Sequence, residues 1–244
     1  MKTVIEGIGF DNVTMDEAVK ACLSMVKKGG YVVTANPEIV WLCRKDKPLK
    51  KIINNADLVV ADGIGIIYAS KILGKPLKER IPGIDLAETV MAKLAESHGS
   101  VFLLGAKPGV AELAAENLTG RYPGLRISGT ADGYFKDTAP IIQKILDTGP
   151  ELLAVGLGAP KQEIWMAENR EKLKPCLMMG LGGSLDGYAG IAKRAPSRWQ
   201  KLNLEWLYRL IKQPSRIKRM IKLPAFILTV MIRRLMGRNA CEID

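Results

Sequence analysis

Polar residues that could transfer protons or bind phosphate follow two short apolar runs near the N-terminus. Thr34 and Asn36 come just after Tyr31-Val32-Val33, and Asp62 follows Leu58-Val59-Val60-Ala61. A carboxylate at the end of a buried strand is partly desolvated, which raises its pKa and suits it to act as a general base. The alternative is that Asp62 only caps the following helix. Our central expectation is that Thr34, Asn36 and Asp62 share one pocket.

The apolar runs themselves have the form of buried parallel strands. Each run is short, contains β-branched residues and ends at Gly, Asn or Asp. Similar runs occur at 101–105, 125–129, 152–156 and 176–181, with helical stretches between them. This alternation predicts an α/β fold with a Rossmann-like, mostly parallel sheet and helices on both faces. Ligands bind at the carboxyl ends of such strands, near helix N-termini that attract phosphate.

Capping residues indicate where several helices begin. Thr14 and Glu17 have the spacing of a capping box, so a helix should begin there. Asn36 is a suitable cap and Pro37 a suitable first residue for a second helix, which we expect to continue to about residue 54. Another helix should begin after Gly63. The second and third of these helices would start directly at the polar clusters described above.

Lys161 and Gln162 form a further candidate site, because they open a helix directly after the strand at 152–156. A lysine and an amide beside the free N–H groups of a helix start can hold a diphosphate or sugar hydroxyl groups. The alternative is an ordinary exposed helix start.

The glycine-rich strand ends resemble a dinucleotide-binding motif only superficially. Gly156-Leu157-Gly158 would need glycine at position 161, and Gly180-Leu181-Gly182 would need it at position 185, but Lys161 and Leu185 stand there. The Gly-Lys-Ser/Thr sequence of a P-loop is also missing. We therefore expect no nucleotide cofactor, and an oxidoreductase acting on a nucleotide sugar is the weaker alternative. The glycines either allow a ligand to approach the backbone or merely turn the chain.

The sequence also argues against a bound metal ion. It contains no Asp-x-Asp motif, and His98 is its single histidine. Paired carboxylates or imidazoles that would hold a divalent cation are thus not apparent. Any phosphate chemistry should depend on Lys, Arg and helix dipoles instead.

Charge is distributed very unevenly along the chain. Residues 190–244 contain 13 Lys or Arg and 3 Asp or Glu, a net +10, whereas residues 1–189 contain 23 and 22, a net +1. We place the boundary between an α/β catalytic domain, 1–195, and a basic amphipathic appendage, 196–244. A cationic segment of this kind seeks an anionic surface, either phospholipid or nucleic acid.

The appendage has the composition of short membrane-docking helices. Arg209, Arg216 and Arg219 recur at helical spacing, and aliphatic and aromatic residues accompany them, while Pro214 and Pro224 should break the segment into short helices. Basic and apolar residues together suit an interfacial anchor, and the aliphatic content makes nucleic acid the less favoured partner. The alternative is a helix pair packed on the body with a solvated charged face.

Cysteine usage indicates a reducing compartment, and hydropathy indicates neither a signal peptide nor a membrane-spanning helix. The four cysteines, at positions 22, 43, 176 and 241, are widely spaced and include no Cys-x-x-Cys pair, so we expect reduced thiols in a cytosolic protein. The N-terminus lacks the apolar core of a signal peptide. The longest uncharged apolar run, 223–232, is about half of the roughly 20 residues that span a bilayer.

Several motifs, taken in order, resemble those of the WecG/TagA/CpsF glycosyltransferase family, which is glycosyltransferase family 26. They cover nearly all of residues 1–197, and no single motif would carry the resemblance alone. The matching stretches are Thr34-Ala35-Asn36-Pro37-Glu38, Ala61-Asp62-Gly63, Arg80-Ile81-Pro82-Gly83, Leu104-Gly105, Gly133-Tyr134-Phe135, Gly156-Leu157-Gly158-Ala159-Pro160-Lys161-Gln162-Glu163, Gly180-Leu181-Gly182-Gly183-Ser184-Leu185-Asp186 and Arg194-Ala195-Pro196.

The resemblance implies an inverting, metal-independent transfer of a sugar from a UDP-sugar to a sugar carried on undecaprenyl diphosphate. In the wall-teichoic-acid branch the transferred sugar is N-acetylmannosamine and the acceptor is lipid-linked N-acetylglucosamine. Other branches transfer N-acetylmannosaminuronic acid or glucose, and these motifs do not separate them. The resemblance also implies a cytoplasmic enzyme that is peripheral on the inner face of the membrane. Oligomeric state stays open, a homo-oligomer included.

The resemblance further implies roles for individual residues. Asp62 would deprotonate the acceptor hydroxyl, and Thr34 would lie beside the reacting groups. Further residues are expected to bind substrate, some of them through the donor and some through diphosphate. Those expected to contact the donor are Asn36, Gln162 and Asp186, those expected to meet diphosphate are Arg80, Arg209, Arg216 and Arg219, and Gly105, Lys161 and Gly183 complete the substrate-binding set.

Overall fold

A computed structural model describes residues 1–212, 214 and 222–236 of the chain, with only the backbone described at positions 201 and 209. Its centre is a six-stranded sheet in the order β4-β3-β8-β7-β5-β6, and every neighbouring pair is parallel. The predicted α/β fold with a parallel sheet is confirmed. The strands are β3 (Gly30–Ala35), β4 (Leu58–Ala61), β5 (Ser100–Gly105), β6 (Arg126–Ala131), β7 (Leu152–Gly156) and β8 (Leu177–Gly180).

Helices cover both faces of this sheet. One apolar layer beneath them contains Tyr31 and Val33 of β3, and the layer on the opposite face contains Val32, as the two-residue repeat of a strand requires. The helices are α1 (Met15–Val26), α2 (Pro37–Cys43), α3 (Lys47–Asn54), α4 (Ile64–Ile72), α5 (Gly83–Glu96), α6 (Val110–Arg121), α7 (Ala139–Thr148), α8 (Lys161–Asn169), α9 (Ser184–Tyr188), α10 (Ser197–Lys201), α11 (Glu205–Lys212) and α12 (Lys222–Leu235).

An antiparallel hairpin, which the sequence did not indicate, precedes α1. It consists of β1 (Lys2–Ile5) and β2 (Ile8–Asp11), joined by a turn in which Glu6 and Gly7 both have positive φ. Such a turn usually carries Asn or Asp before the glycine, so Glu6 gave no turn signal. The hairpin is tied to β4 because a carboxylate oxygen of Asp11 accepts a hydrogen bond from the Val59 N–H over 2.9 Å.

The predicted start of α1 is confirmed, but the predicted length of the second helix is wrong. The capping box of Thr14 and Glu17 is formed as predicted. The single helix expected from Pro37 to about residue 54 was wrong, because α2 ends at Cys43 and α3 begins at Lys47. Asp46 causes the restart, since its Oδ1 accepts the Leu49 N–H over 2.9 Å and so caps α3.

The C-terminal helix α12 packs directly on the body. Its Phe226 and Val230 are 1% and 0% exposed and belong to the apolar layer beneath α2 and α4. A guanidinium nitrogen of Arg233 lies 3.0 Å from the buried carboxylate of Glu6, which links the helix to the hairpin turn. Pro224 lies in the first turn of α12, where its missing N–H has no helical partner to lose. Within the described ranges, no helix is long and apolar enough to cross a membrane.

Candidate active site

Asn36 and Asp62 line one pocket of about 220 Å³ at the carboxyl ends of β3 and β4. The preceding residues, Ala35 and Ala61, are register partners, and the Asp62 N–H donates to the Ala35 carbonyl over 2.9 Å. The two polar residues therefore leave neighbouring strands at the same level. Arg80 also lines the pocket, so a carboxylate, an amide and a guanidinium face one cavity.

The starts of two helices, α2 and α4, line this pocket. The side-chain oxygen Oδ1 of Asn36 accepts the Ile39 N–H over 3.1 Å and caps α2, so the side-chain amide nitrogen of Asn36 is the group that could donate to a ligand. Gly63, with φ of +117°, precedes α4 in a conformation that favours glycine. Because the N-terminal residues of α4 line the pocket, its positive dipole end favours an anion there.

Thr34 lies behind the pocket wall and is not one of the lining residues. Its hydroxyl donates to the Gly180 carbonyl oxygen over 3.0 Å, and the residue is 7% exposed. A methyl group on Gly83, at the start of α5, would lie 2.8 Å from the Thr34 side chain. The expectation of one shared pocket is thus confirmed for Asn36 and Asp62, while Thr34 supports the wall beneath Gly83.

Residues from the C-terminal segment complete the pocket, and the sequence did not single them out as site residues. Asn203, Glu205, Trp206 and Leu223 all line it. Leu223 and Pro37 also fill the space where Gly65 would carry a Cβ atom, so the start of α12 packs tightly against α4. One signal was available, since Glu205 is the only acidic residue between positions 190 and 240.

Arg80 is held at the pocket by side chains from this C-terminal segment. Its Nη2 lies 2.7 Å from a carboxylate oxygen of Glu205, and its Nη1 donates to the Asn203 side-chain oxygen over 3.0 Å. Arg194 approaches the other Glu205 oxygen at 3.7 Å and pairs with Asp85, with one hydrogen bond of 2.8 Å. This network fastens α11 to the loop before α5.

Gln162 is buried, and its side chain supports the turn that follows β8. Its carbonyl oxygen accepts the Gly182 N–H over 2.9 Å, and its amide nitrogen donates to Glu163 over 2.8 Å. Burial raises the pKa of Glu163, whose second oxygen has no hydrogen-bond partner among the described residues. These contacts position the turn beneath Thr34, and direct contact between Gln162 and the donor stays a prediction.

Lys161 and Gly105 lie farther along the sheet edge, where β5 and β7 end. The Lys161 ammonium donates to the Gly133 carbonyl over 3.0 Å and lies 4.9 Å from the ring centroid of Phe135. Gly105 faces the Gly156 backbone so closely that no side chain would fit. The lysine therefore orders the loop after β6, and the glycine lets adjacent strands approach. Substrate contacts of both residues stay predictions.

Gly183 and Asp186 lie at the start of α9, after β8. Gly183 is exposed and precedes the helix, and Asp186 lies in its first turn with intermediate exposure. Neither residue lines the pocket of Asp62. Since β8 lies between β3 and β7, these two residues occupy the middle of the sheet edge, between that pocket and Lys161.

The predicted arginines of the C-terminal segment are only partly described. Arg209 lies in α11, and Arg216 and Arg219 fall outside the described residues. Among the residues that the structure describes, no group of three or more His, Cys, Asp or Glu side chains is arranged to hold a metal ion.

The arrangement suits proton abstraction beside a bound anion. Asp62 can accept a proton from a hydroxyl group in the pocket, while Arg80 and the start of α4 favour negative charge. Trp206 and Leu223 add an apolar wall. A ligand that carries a hydroxyl group close to a phosphate fits this combination.

Comparison with known proteins points to the same chemistry. Residues 3–240 match the model of the glycosyl transferase WecG/TagA/CpsF family. A relative from Bacillus spizizenii is 37% identical over 204 residues, covering 84% of this chain and 79% of the relative. A relative from Staphylococcus aureus is 37% identical over 230 residues, covering 93% and 91%. Both relatives are named N-acetylglucosaminyldiphosphoundecaprenol N-acetyl-beta-D-mannosaminyltransferase.

Proposed function

The chain belongs to the WecG/TagA/CpsF glycosyltransferase family, and on this premise we propose its reaction. The enzyme transfers N-acetylmannosamine from UDP-N-acetylmannosamine to N-acetylglucosamine linked to undecaprenyl diphosphate. The product is the linkage unit of wall teichoic acid. The names of the relatives support both the transferred sugar and the acceptor.

One structural observation carries the proposal. Asp62 and Arg80 line the same pocket, at the point where a parallel strand ends and a helix begins. An inverting transfer needs one general base for the acceptor and positive charge for the departing diphosphate. The pocket offers both from side chains of this chain.

The mechanism follows from these two groups. The Asp62 carboxylate takes the proton of the acceptor hydroxyl group. At the same time the oxygen of that hydroxyl group attacks the anomeric carbon of the donor sugar. The bond from that carbon to the diphosphate breaks, and its electron pair leaves with UDP. Arg80 and the N-terminus of α4 stabilise the charge on the leaving group, which is why no metal is required. Attack opposite the leaving group inverts the anomeric configuration.

Other residues bind and position the substrates in this proposal. Asn36 offers its amide nitrogen to the donor, and Thr34 holds the wall beside the reacting groups. Additional contacts are assigned to residues along the sheet edge and in the C-terminal segment, on the strength of the family motifs. These are the donor contacts Gln162 and Asp186, the substrate contacts Gly105, Lys161 and Gly183, and the diphosphate contacts Arg209, Arg216 and Arg219.

The proposed partner surface is the anionic cytoplasmic leaflet, on which the enzyme is peripheral. The outer face of α12 supports this proposal, because Leu228, Ile232 and Leu235 are 58%, 45% and 85% exposed although the helix is packed on the body. Leu223, in the first turn of the same helix, lines the pocket. An apolar face beside the pocket would place the active site close to a lipid-linked acceptor.

The nearest alternative keeps this fold and mechanism and changes the donor to UDP-N-acetylmannosaminuronic acid or UDP-glucose. Purified enzyme should therefore be offered each UDP-sugar with a short-chain polyprenyl-diphosphate-linked N-acetylglucosamine acceptor. We expect turnover with UDP-N-acetylmannosamine to be the fastest. Faster turnover with another donor would reassign the branch, and no turnover with any donor would reject the proposed reaction.

A further inference from the structure

The pocket holds a carboxylate where the proposed function requires a phosphate. Glu205, the first residue of α11, lies 2.7 Å from Nη2 of Arg80, and its other oxygen lies 3.7 Å from Nε of Arg194. The side chains of Arg80 and Glu205 are only 16% and 14% exposed, so solvent screens their pairing weakly. An anion of the chain itself is thus held between two guanidinium groups at the pocket wall.

The carboxylate fits this place incompletely. A distance of 3.7 Å is too long for a hydrogen bond, and the buried Nε of Arg194 has no acceptor among the described residues. The other nitrogens of Arg194 are directed to Asp85, with one hydrogen bond of 2.8 Å. A buried N–H group without an acceptor is uncommon and destabilising. The gap between the two arginines is therefore better suited to a larger anion than Glu205 supplies.

A phosphate group has the shape that the gap requires. A carboxylate offers two oxygen atoms in one plane, whereas a diphosphate offers two non-bridging oxygens on each phosphorus atom, and these point in different directions. Arginine binds phosphate oxygens through paired, charge-assisted hydrogen bonds. One phosphate could accept from Nη2 of Arg80 and from Nε of Arg194 together. Asn203, which accepts from Nη1 of Arg80 over 3.0 Å, would keep that guanidinium oriented throughout.

Glu205 is an isolated negative charge in a strongly cationic part of the sequence. Between positions 190 and 240 the chain has 13 Lys or Arg residues, and Glu205 is the only acidic residue. In such a cationic segment a glutamate could pair with many partners, yet Glu205 pairs with Arg80, which is the one arginine among the described residues that lines the pocket of Asp62. Its negative charge occupies the place where the proposed reaction brings a negatively charged ligand.

Building on the proposed function, we infer that Arg80 and Arg194 form a phosphate subsite for which the Glu205 carboxylate competes with the ligand. The ligand is a diphosphate, which belongs either to the nucleotide of the donor or to the lipid carrier of the acceptor. When the diphosphate binds, it replaces the Glu205 carboxylate on Arg80 and also accepts a hydrogen bond from the Nε–H group of Arg194. Arg194 is thereby assigned a binding role, and Glu205 competes with the ligand.

Calorimetry at fixed ionic strength, which measures pyrophosphate binding to the full-length chain, tests this competition. Glu205→Gln keeps the shape of the side chain and removes its charge, so pyrophosphate affinity should rise about tenfold, as expected when the ligand no longer displaces a charge-assisted pair. Glu96→Gln is the matched control, because it removes the same charge from an exposed pair with Lys93 and should change nothing.

Arg194→Lys tests the second arginine separately. Lysine can keep the ion pair with Asp85, but it lacks the Nε–H group that faces the subsite, so pyrophosphate affinity should fall severalfold while the melting temperature stays near that of the parent. Combining Glu205→Gln with Arg80→Ala should abolish the gain in affinity, because the competing contact no longer exists. Unchanged or weaker binding by Glu205→Gln, unchanged binding by Arg194→Lys, or no pyrophosphate binding by the parent would each overturn the inference.

Two further ligands identify the source of the diphosphate. UDP and farnesyl diphosphate are titrated into the parent and into Glu205→Gln, and the ligand whose affinity rises is the one whose diphosphate occupies the subsite. A rise for neither ligand contradicts the inference. These measurements involve no sugar transfer, so failure here leaves the proposed reaction standing if the donor screen shows turnover. Pyrophosphate binding with the expected variant effects, but without any turnover, rejects the reaction alone.

Discussion

The Asp62 N–H donates to the carbonyl oxygen of Ala35 over 2.9 Å, which continues the β3–β4 ladder one residue past the end of β4. This hydrogen bond fixes the backbone of the proposed base relative to the neighbouring strand. Asn36, the residue after Ala35, is fixed in turn by capping α2. The two polar side chains therefore lie on rigid elements, as precise proton transfer requires.

The first prediction concerns the buried Glu163. Burial raises the pKa of its carboxyl group above the ordinary value of 4.5, so the folded state holds this proton more tightly than the unfolded state. The unfolding free energy should therefore fall as pH rises from about 4.5 through the folded pKa, by at most about 1.4 kcal/mol per pH unit for this one group. Glu163→Gln cannot ionise and should lack that decline.

Urea unfolding measured from pH 4 to pH 8 checks this prediction. The stability of Glu163→Gln relative to the parent should increase with pH across the window. Glu168→Gln serves as the control, because Glu168 is exposed on the same helix. Parallel stability curves for the parent and Glu163→Gln would show that Glu163 does not titrate differently in the two states.

The second prediction separates the two faces of α12. Phe226 is 1% exposed and packs in the core, so Phe226→Ala should lower the unfolding free energy by about 3–5 kcal/mol. Leu228 is 58% exposed on the same helix, and Leu228→Ala should change the unfolding free energy by less than about 0.5 kcal/mol. Equal losses in chemical denaturation would mean that α12 is not docked as described.

The third prediction concerns lipid binding by the outer face of α12. Replacing Leu228, Ile232 and Leu235 together by serine should weaken binding to phosphatidylglycerol vesicles by at least about tenfold, because apolar surface can no longer enter the interface. The control is the double variant Leu113→Ser and Leu146→Ser, which removes exposed apolar residues from α6 and α7. Equal flotation of both variants with vesicles would remove α12 from the membrane contact.

The fourth prediction is that transfer survives chelation. Arginine and helix N-termini stabilise the leaving diphosphate in the proposed mechanism, so EDTA should leave the initial rate within about twofold of the untreated rate. A rate that collapses with EDTA and returns with magnesium or manganese would contradict a metal-independent mechanism.

Much of the sheet was predictable from sequence, because buried parallel strands have a strong local signature. The runs ending at Ala35 and Ala61 are β-branched and end at polar residues, and their pairing follows from the fold class. Thr34, Asn36 and Asp62 were therefore predicted to share a pocket, which is confirmed for Asn36 and Asp62 and wrong for Thr34. The hairpin was missed because Glu6 is an unusual residue for its turn. The break between α2 and α3 was missed because the helical periodicity of the sequence continues past Asp46, the residue that caps α3.

The wall of the pocket could not be predicted, since it depends on contacts between distant parts of the chain. Arg80 and Glu205 are 125 positions apart, and nothing local indicates that they pair. Leu223 reaches the pocket only because α12 docks on α2 and α4 through Phe226. The position of Thr34 behind the wall also depends on distant contacts, with Gly83 and Gly180. Tertiary packing decides all three.

The central claim is that Asp62 is the general base of sugar transfer, and a comparison of Asp62→Asn with the parent tests it most directly. Turnover should be measured with saturating UDP-N-acetylmannosamine and a short-chain lipid-linked acceptor, and UDP binding should be measured by calorimetry. Asp147→Asn, which changes charge in the same way at an exposed site on α7, is the control. We expect Asp62→Asn to lose a factor of about 10² to 10⁴ in rate with UDP affinity nearly unchanged, since the base acts on the acceptor. A near-normal rate for Asp62→Asn would contradict the claim.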